Sequence, residues 1–198
     1  MTTVKPSRAD KAPAKTERMR KTIPLSRPLS DGSNSWTELT VHEPELGDRI
    51  RAERKGAGME AAVELLAILT GLPSSAARKM KTRDARAIHA WLDSLMPDGE
   101  PVADVDDAES RTFDLLVPLE VDGRPMTQIT VREPDLEAGI AVEKLKGRHE
   151  QTAASIAVLS GLTIPVVRKM VMRDVARIEA WLLPFVDDTN SKEEAGET

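Results

Sequence analysis

The chain carries one block of sequence twice, and a shift of 90 residues brings the two blocks into register. Between residues 22–92 and 112–182, 26 of 71 aligned positions are identical without a gap. Chance alignment would give fewer than half as many identities. An internal repeat of this length predicts two copies of one folding unit. The duplication also helps to select candidate functional residues, because a residue that is identical in both copies is expected to serve a role that both copies share.

Charge is distributed unevenly around the two blocks. Residues 1–21 carry a net charge of +5, residues 98–110 carry −6 and residues 187–198 carry −4. These segments are poor in large apolar residues, a composition typical of disordered chains. The sequence therefore predicts a disordered basic arm (1–21), a first repeat (22–97), an acidic linker (98–110), a second repeat (111–186) and a disordered acidic tail (187–198).

Each repeat begins with two short runs of extended character. In the second repeat they are separated by a turn containing Asp122-Gly123, and an Asp-Gly pair between alternating apolar residues predicts a β-hairpin. Pro28 and Pro118 lack an amide donor, which favours an edge position in a sheet.

A Glu-Pro step ends each hairpin and predicts the start of a helix. Pro44 and Pro134 suit the first helical turn, where a missing N–H costs nothing. Their neighbours Glu43 and Glu133 favour the positive end of a helix. Leucine and isoleucine follow at helical spacing in both repeats.

Further helices follow in each repeat. Gly71 and Gly161 stand where a helix commonly ends, and Leu72 and Leu162 follow them. The last helix carries an apolar stripe at i, i+3, i+4 and i+7 that includes Trp91 or Trp181. A tryptophan on such a stripe is more often a core residue than a binding anchor.

The predicted fold class is α+β, a tandem duplication in which each copy is a β-hairpin followed by three to four short α-helices. A unit of about 75 residues has little core of its own. We therefore expect the two repeats to pack together or the chain to associate with itself.

Several classes of chemistry are excluded or not expected. The chain has no Cys, which excludes disulfides and thiol chemistry. Each of its three histidines falls opposite a different residue in the other repeat, and no nucleophile–base pair recurs in both. We expect no catalytic site, no metal site and no cofactor. No apolar run approaches the roughly 18 residues that span a membrane.

A basic stretch recurs before the last helix of each repeat and is the candidate site for partner binding. Three interpretations stay open. The stretch can be a solvated face, with Asp84 and Asp174 favouring the start of the helix, or it can be a surface for an acidic partner. The least favoured interpretation is a nucleic-acid module built on the basic helices 73–86 and 163–177. The candidate residues are Arg78, Lys79 and Arg83 in the first repeat and Arg168, Lys169 and Arg173 in the second.

A hairpin ending in Leu-Thr-Val-x-Glu-Pro, then Leu-Thr-Gly-Leu-Pro and a closing amphipathic helix, resembles the tail assembly chaperone family of long-tailed bacteriophages. The first repeat carries these motifs at 39–44 and 69–73. The second carries related sequences at 129–134 and 159–162, with Ile129 and Ser160 in place of the first leucine and the threonine, and with Thr163 in place of the last proline. The repeat motif comprises Glu43, Pro44, Gly71, Leu72 and Trp91, with Glu133, Pro134, Gly161, Leu162 and Trp181.

The resemblance implies a phage or prophage protein that is not an enzyme. Family members bind the tape-measure protein and keep it soluble until the tail tube polymerises around it. The implied partners are the tape-measure protein and, as a further candidate, the tail-tube protein; neither a membrane nor a nucleic acid is expected as a partner. The implied location is the bacterial host cytoplasm and not the mature virion. Two copies in one chain depart from the usual single-copy family member.

Overall fold

The computed structural model describes residues 17–96 and 109–190. Each repeat is a two-stranded antiparallel hairpin followed by helices, so the predicted α+β duplication is confirmed. The first repeat comprises β1 (Arg20–Ser30), β2 (Ser35–His42), α1 (Leu46–Lys55), α2 (Met59–Thr70), α3 (Ser74–Ala77) and α4 (Thr82–Asp93). The second comprises β3 (Ser110–Val121), β4 (Arg124–Arg132), α5 (Leu136–Glu143), α6 (Arg148–Ser160), α7 (Ile164–Val167) and α8 (Met172–Asn190).

The ends of the repeats differ from the predicted bounds. Strand β1 begins at Arg20, and Lys21 pairs with Val41, so the end of the predicted arm belongs to the hairpin. Helix α8 continues to Asn190, past the predicted end at residue 186. The predicted bounds follow the ends of the apolar sequence, whereas the backbone hydrogen bonding of β1 and α8 continues into the neighbouring polar residues. Strand β3 likewise begins at Ser110, inside the predicted linker, and residues 17–19 of the predicted arm are described as well. Residues 1–16, 97–108 and 191–198 lie outside the described residues.

Both hairpins have the same register and the same interruption. Ile23 pairs with Leu39 and Phe113 with Ile129, but the register shifts after Pro24 and after Asp114. The irregular stretches 25–28 and 115–118 end at Pro28 and Pro118, which have no N–H to donate to a ladder. The hairpins therefore bend at equivalent points.

A buried aspartate from the last helix binds each irregular stretch. Asp84 accepts hydrogen bonds from the Ser26 amide at 3.0 Å and the Ser26 hydroxyl at 2.9 Å. Asp174, at the equivalent position, accepts from the Leu116 amide at 3.0 and 3.1 Å. The two aspartates thus satisfy strand amides that the interrupted ladder leaves unpaired, besides lying in the first turn of their helices.

Two apolar cores are present among the described residues, and they are unequal. The first repeat's core joins the hairpin to α2 and α4, with Leu39, Leu69 and Ile88 buried in it. The second repeat's core contains Trp181, which lies edge-on to Phe113 at 6.0 Å and to Phe185 at 5.2 Å. Leu46 and Ile50 of α1 also belong to this second core.

Candidate partner-binding surfaces

The two repeats meet where α1 lies against the segment that joins α7 to α8. The Leu46 amide donates to the Met170 carbonyl at 2.9 Å, and the Gly47 amide donates to the Arg168 carbonyl at 2.8 Å. In return the Met172 amide donates to the Pro44 carbonyl at 3.0 Å. These bonds satisfy α1 amides that have no partner within their own helix. The segment 168–173 therefore covers the start of α1.

A buried ion pair fixes the same contact. Arg173 donates to both carboxylate oxygens of Glu43, at 2.5 and 3.0 Å, and the Glu43 side chain is only 1% exposed. The Met19 amide donates to Glu43 Oε2 at 3.0 Å. Arg18 donates to the Glu43 carbonyl and to the Glu45 carboxylate, the latter at 2.9 Å. The Glu-Pro step that the repeat preserves thus binds the second repeat.

Apolar contact accompanies the polar one. Leu46 is fully buried and Ile50 is 1% exposed, and both pack into the second repeat's core beside Met170 and Ile156. Gly47 allows this approach, because a Cβ there would lie 3.0 Å from the Arg168 carbonyl oxygen. The second repeat is therefore completed by two side chains of the first.

Helix α1 also pairs with α6 near its other end. Arg54 forms a salt bridge with Glu150, and the Glu53 carboxylate lies 2.6 Å from His149 Nδ1. Glu150 also accepts from Arg168 at 2.8 Å. Burial alone would raise the pKa of Glu150, but the hydrogen bonds from Arg54 and Arg168 outweigh it and hold that pKa below its ordinary value.

The same surface of the second repeat has no cover among the described residues. Leu136, the counterpart of Leu46, is 79% exposed, and Ile140, the counterpart of Ile50, is 59% exposed. An open groove of about 970 Å³ lies beside them, lined also by Glu133, Pro134 and Phe185. In the first repeat the corresponding position is filled by the segment 168–173.

A second groove, of about 310 Å³, runs between α6 and α8 in the second repeat. Its apolar wall includes Val142, Ile156 and Leu183, and Leu183 is 57% exposed. The equivalent place in the first repeat is a smaller cavity of about 120 Å³. There Asp93 stands where the second repeat has Leu183, so this position is apolar only in the second repeat.

The basic residues predicted to bind a partner divide into two groups. Three already bind carboxylates of this chain: Arg78 binds Glu60, Arg168 binds Glu150 and Arg173 binds Glu43. Lys79, Arg83 and Lys169 are exposed. That any of the six binds an outside partner stays a prediction.

The residues of the repeat motif lie at structural positions. Gly71 and Gly161 end α2 and α6 in the left-handed conformation, with φ of 70° and 72°. Leu72 is buried, whereas Leu162 is partly buried. Trp181 is 4% exposed, and Trp91 packs against the first core from a half-buried position. Pro44 is buried at the interface, whereas Glu133 is exposed and Pro134 partly so.

Sequence reasoning missed the pairing of α1 with α6. Comparison of the two repeats gave His149 no predicted role, because Met59 occupies the equivalent position in the first repeat. That same difference was the available signal, since residues that differ between repeats can define the contact of one repeat with the other.

Two carboxylates have raised pKa values because of burial. Burial raises the pKa of Glu45, and the nearby Arg18 guanidinium offsets part of that rise. Burial also raises the pKa of Asp174, against the lowering effect of hydrogen bonds from the Leu116 and Val117 backbone. Both groups lie in structural contacts. Among the described residues, no group of acidic or histidine side chains is arranged to hold a metal ion.

Among the same described residues, no helix is both long and apolar enough to cross a membrane.

A family model described as phage tail assembly chaperone proteins, E, or 41 or 14, matches residues 22–96 and again residues 112–187. Comparison with curated proteins and with solved structures gives no match.

Proposed function

The chain belongs to the phage tail assembly chaperone family, and from this membership we propose that it binds the tape-measure protein and keeps it soluble until the tail tube polymerises around it. The observation that carries the proposal is the family match over both repeats, which together make up most of the chain. We propose further that the protein acts in the bacterial host cytoplasm without catalysis, and that it is absent from the mature virion. Contact with the tail-tube protein belongs to the same proposal.

We place the partner in the groove between α6 and α8. A long structural protein rich in helices presents apolar helical stripes before assembly, and such a stripe binds by lying in an apolar groove. Leu183 and Val142 offer exposed or partly exposed apolar surface there, with Arg148 and Glu179 at the polar rim. The groove would shield the stripe from water and so prevent aggregation of the partner.

Co-expression with the tape-measure protein of the same phage tests the proposal. We expect the tape-measure protein to be recovered in the soluble fraction, and to co-purify with the tagged chaperone, only when the chaperone is present. A tape-measure protein that is equally insoluble with and without this chain would overturn the proposal.

Two matched variants test the groove. Leu183→Asp introduces the residue that the first repeat has at this position, and it should weaken co-purification of the tape-measure protein about tenfold or more. Ile164→Ser also replaces an exposed side chain by the first repeat's residue, but it lies outside the groove and should leave co-purification unchanged. Equal losses in the two variants would contradict the placement, even if co-expression supports chaperone function.

No observation favours the nucleic-acid module based on helices 73–86 and 163–177. Arg78, Arg168 and Arg173, which would supply much of its phosphate affinity, bind carboxylates within the chain. Salt-dependent DNA binding at micromolar concentration or tighter would reverse this ranking.

A further inference from the structure

The groove between α6 and α8 and the smaller cavity of the first repeat are lined by equivalent positions. The cavity is lined by residues of α2 and α4, and the counterparts of all five line the groove: Ala62, Leu65, His89, Leu92 and Asp93 correspond to Thr152, Ser155, Glu179, Leu182 and Leu183. The two are the same place in the repeated fold. A side chain that lies in one and is missing from the other therefore indicates what the second can take up.

Arg49 of α1 is such a side chain. It lines the cavity of the first repeat and is half-buried, with its Nε atom shut off from solvent. Burial lowers the pKa of its guanidinium, and the nearby Asp93 and Glu53 carboxylates oppose that effect. The second repeat has Gly139 at the equivalent position, and this glycine supplies no side chain. The groove is accordingly larger, about 310 Å³ against about 120 Å³.

The groove nevertheless contains a carboxylate of its own. Glu179 of α8 lies there, where the first repeat has His89. Glu179 is half-buried, and the Thr152 hydroxyl donates to its Oε1 at 2.7 Å and so orients it. Among the described residues Glu179 forms no salt bridge. The other charged side chain of the groove, Arg148, is exposed at the rim. The second repeat thus has the acidic group without the guanidinium that the first repeat supplies from α1.

We propose that this groove binds a helix of the partner that presents an arginine or a lysine to Glu179 and an apolar side chain to Leu183. The partner's basic group then takes the place that Arg49 has in the first repeat. Glu179 and Leu183 are four residues apart, so they lie on one face of α8, one turn from each other. A partner helix with a basic and an apolar residue at the same spacing contacts both. The inference rests on the proposed function and names the kind of segment that the tape-measure protein supplies.

The charge of the groove favours this occupant over a purely apolar helix. An apolar stripe alone would take the Glu179 carboxylate out of water without giving it a partner, which costs free energy. An acidic residue at the same point would be repelled. A lysine or arginine packs its aliphatic stem on apolar surface such as Leu183 and brings its charged end to the carboxylate. Glu179 therefore selects among helices that the apolar wall alone would accept equally.

Binding of three designed helical peptides to the full chain tests the proposal. The first peptide carries an arginine and a leucine four residues apart, the second has citrulline, a neutral analogue of similar shape, in place of the arginine, and the third has glutamate there. We expect the wild-type protein to bind the arginine peptide about tenfold more tightly than the citrulline peptide, and the glutamate peptide most weakly. Added salt should reduce these differences. Isothermal titration calorimetry measures all three affinities.

Variants of Glu179 assign the preference to its charge. Glu179→Gln removes the charge but keeps an oxygen that can accept from Thr152, so circular dichroism should be unchanged while the arginine and citrulline peptides bind equally. Glu179→Lys should reverse the order and favour the glutamate peptide. Glu120→Gln makes the same change at an exposed acid of β3 outside the groove, and it should keep the wild-type preference.

Three results would overturn the proposal: equal binding of the arginine and citrulline peptides by the wild type, an undiminished preference in Glu179→Gln, or no binding of any peptide, as when another segment or a second copy of this chain fills the groove. Co-expression separates this inference from the proposed function. A tape-measure protein kept soluble equally by the wild type and by Glu179→Gln would support chaperone function and reject the basic contact. A tape-measure protein that stays insoluble, although the peptides are discriminated, would reject the function and leave the selectivity of the groove.

Discussion

Arg173 donates two hydrogen bonds to the carboxylate of Glu43, which lies 130 residues earlier in the chain. The pair joins the first turn of α8 to the Glu-Pro step that comes shortly before α1, and the Glu43 side chain is 1% exposed. A duplicated sequence would be expected to give two equivalent repeats. This pair makes them unequal, because one glutamate of the repeated motif is buried and the other is exposed.

Glu43→Ala should lower the free energy of unfolding by about 3–5 kcal/mol, because it leaves the largely buried Arg173 guanidinium without its partner. The measurement is urea denaturation at low protein concentration. Glu133→Ala is the matched control, and its exposed side chain predicts a change within about 0.5 kcal/mol. Equal losses for the two variants would contradict the inequality of the repeats.

Gly47→Ala and Gly139→Ala should change stability in opposite directions. A Cβ at Gly47 would press against the Arg168 carbonyl oxygen at 3.0 Å, and overpacking of this kind costs about 1–2 kcal/mol. A Cβ at Gly139 meets nothing within 4 Å, and alanine in a helix interior stabilises by about 0.5–1 kcal/mol. Thermal unfolding followed by circular dichroism measures both. Stabilisation by both alanines would show that α1 does not lie this close to the second repeat.

Asp174→Ala should destabilise the second repeat by about 1–3 kcal/mol, because the Leu116 amide loses its acceptor in a partly buried place. Asp84→Ala should do the same in the first repeat through Ser26. Hydrogen exchange offers a local readout: the Leu116 amide should exchange faster in Asp174→Ala and unchanged in Asp84→Ala. Equal exchange in both variants would argue against the bond.

Glu150 and Asp174 should give opposite dependences of stability on pH. The pKa of Glu150 lies below its ordinary 4.5 in the folded protein, so its stabilising contribution is complete above that value and disappears as pH falls through the folded pKa. The stability of the wild type relative to Glu150→Gln should therefore shrink on acidification, from about 0.5–1 kcal/mol at neutral pH, since Arg54 is largely exposed.

The pKa of Asp174 lies above its ordinary 3.8, so the folded state binds this proton more strongly than the unfolded state does. The stability of the wild type relative to Asp174→Asn should decrease as pH rises from 3.8 through the folded pKa. Denaturation of all three proteins between pH 3 and 7 checks both signs, and parallel curves for the two differences would refute the assignment.

Local features of the fold followed from the sequence. The Asp122-Gly123 turn has positive φ at both residues, as a tight hairpin turn requires. Gly71 and Gly161 end their helices as their positions predicted. These features depend on backbone preferences of a few neighbouring residues, so one sequence is enough to predict them.

The candidate surfaces could be predicted only in part. The recurrence of Arg168 and Arg173 in the first repeat as Arg78 and Arg83 left open a solvated face, a surface for an acidic partner and a nucleic-acid module. It did not reveal that Arg168 binds Glu150 and that Arg173 binds Glu43 within the same chain. A pattern of charges gives the kind of partner, whereas its identity depends on which surfaces the packed chain brings together.

The sequence by itself determined that this protein is a duplicated α+β unit, because identity between two halves, turn residues and apolar periodicity are properties of the chain alone. Only the tertiary structure decided that Leu46 is buried and Leu136 is 79% exposed. The two leucines occupy the same position in the repeat, two residues after Pro44 and Pro134. Burial, however, is set by the surface that packs on top, and among the described residues the second repeat covers Leu46 whereas no segment covers Leu136.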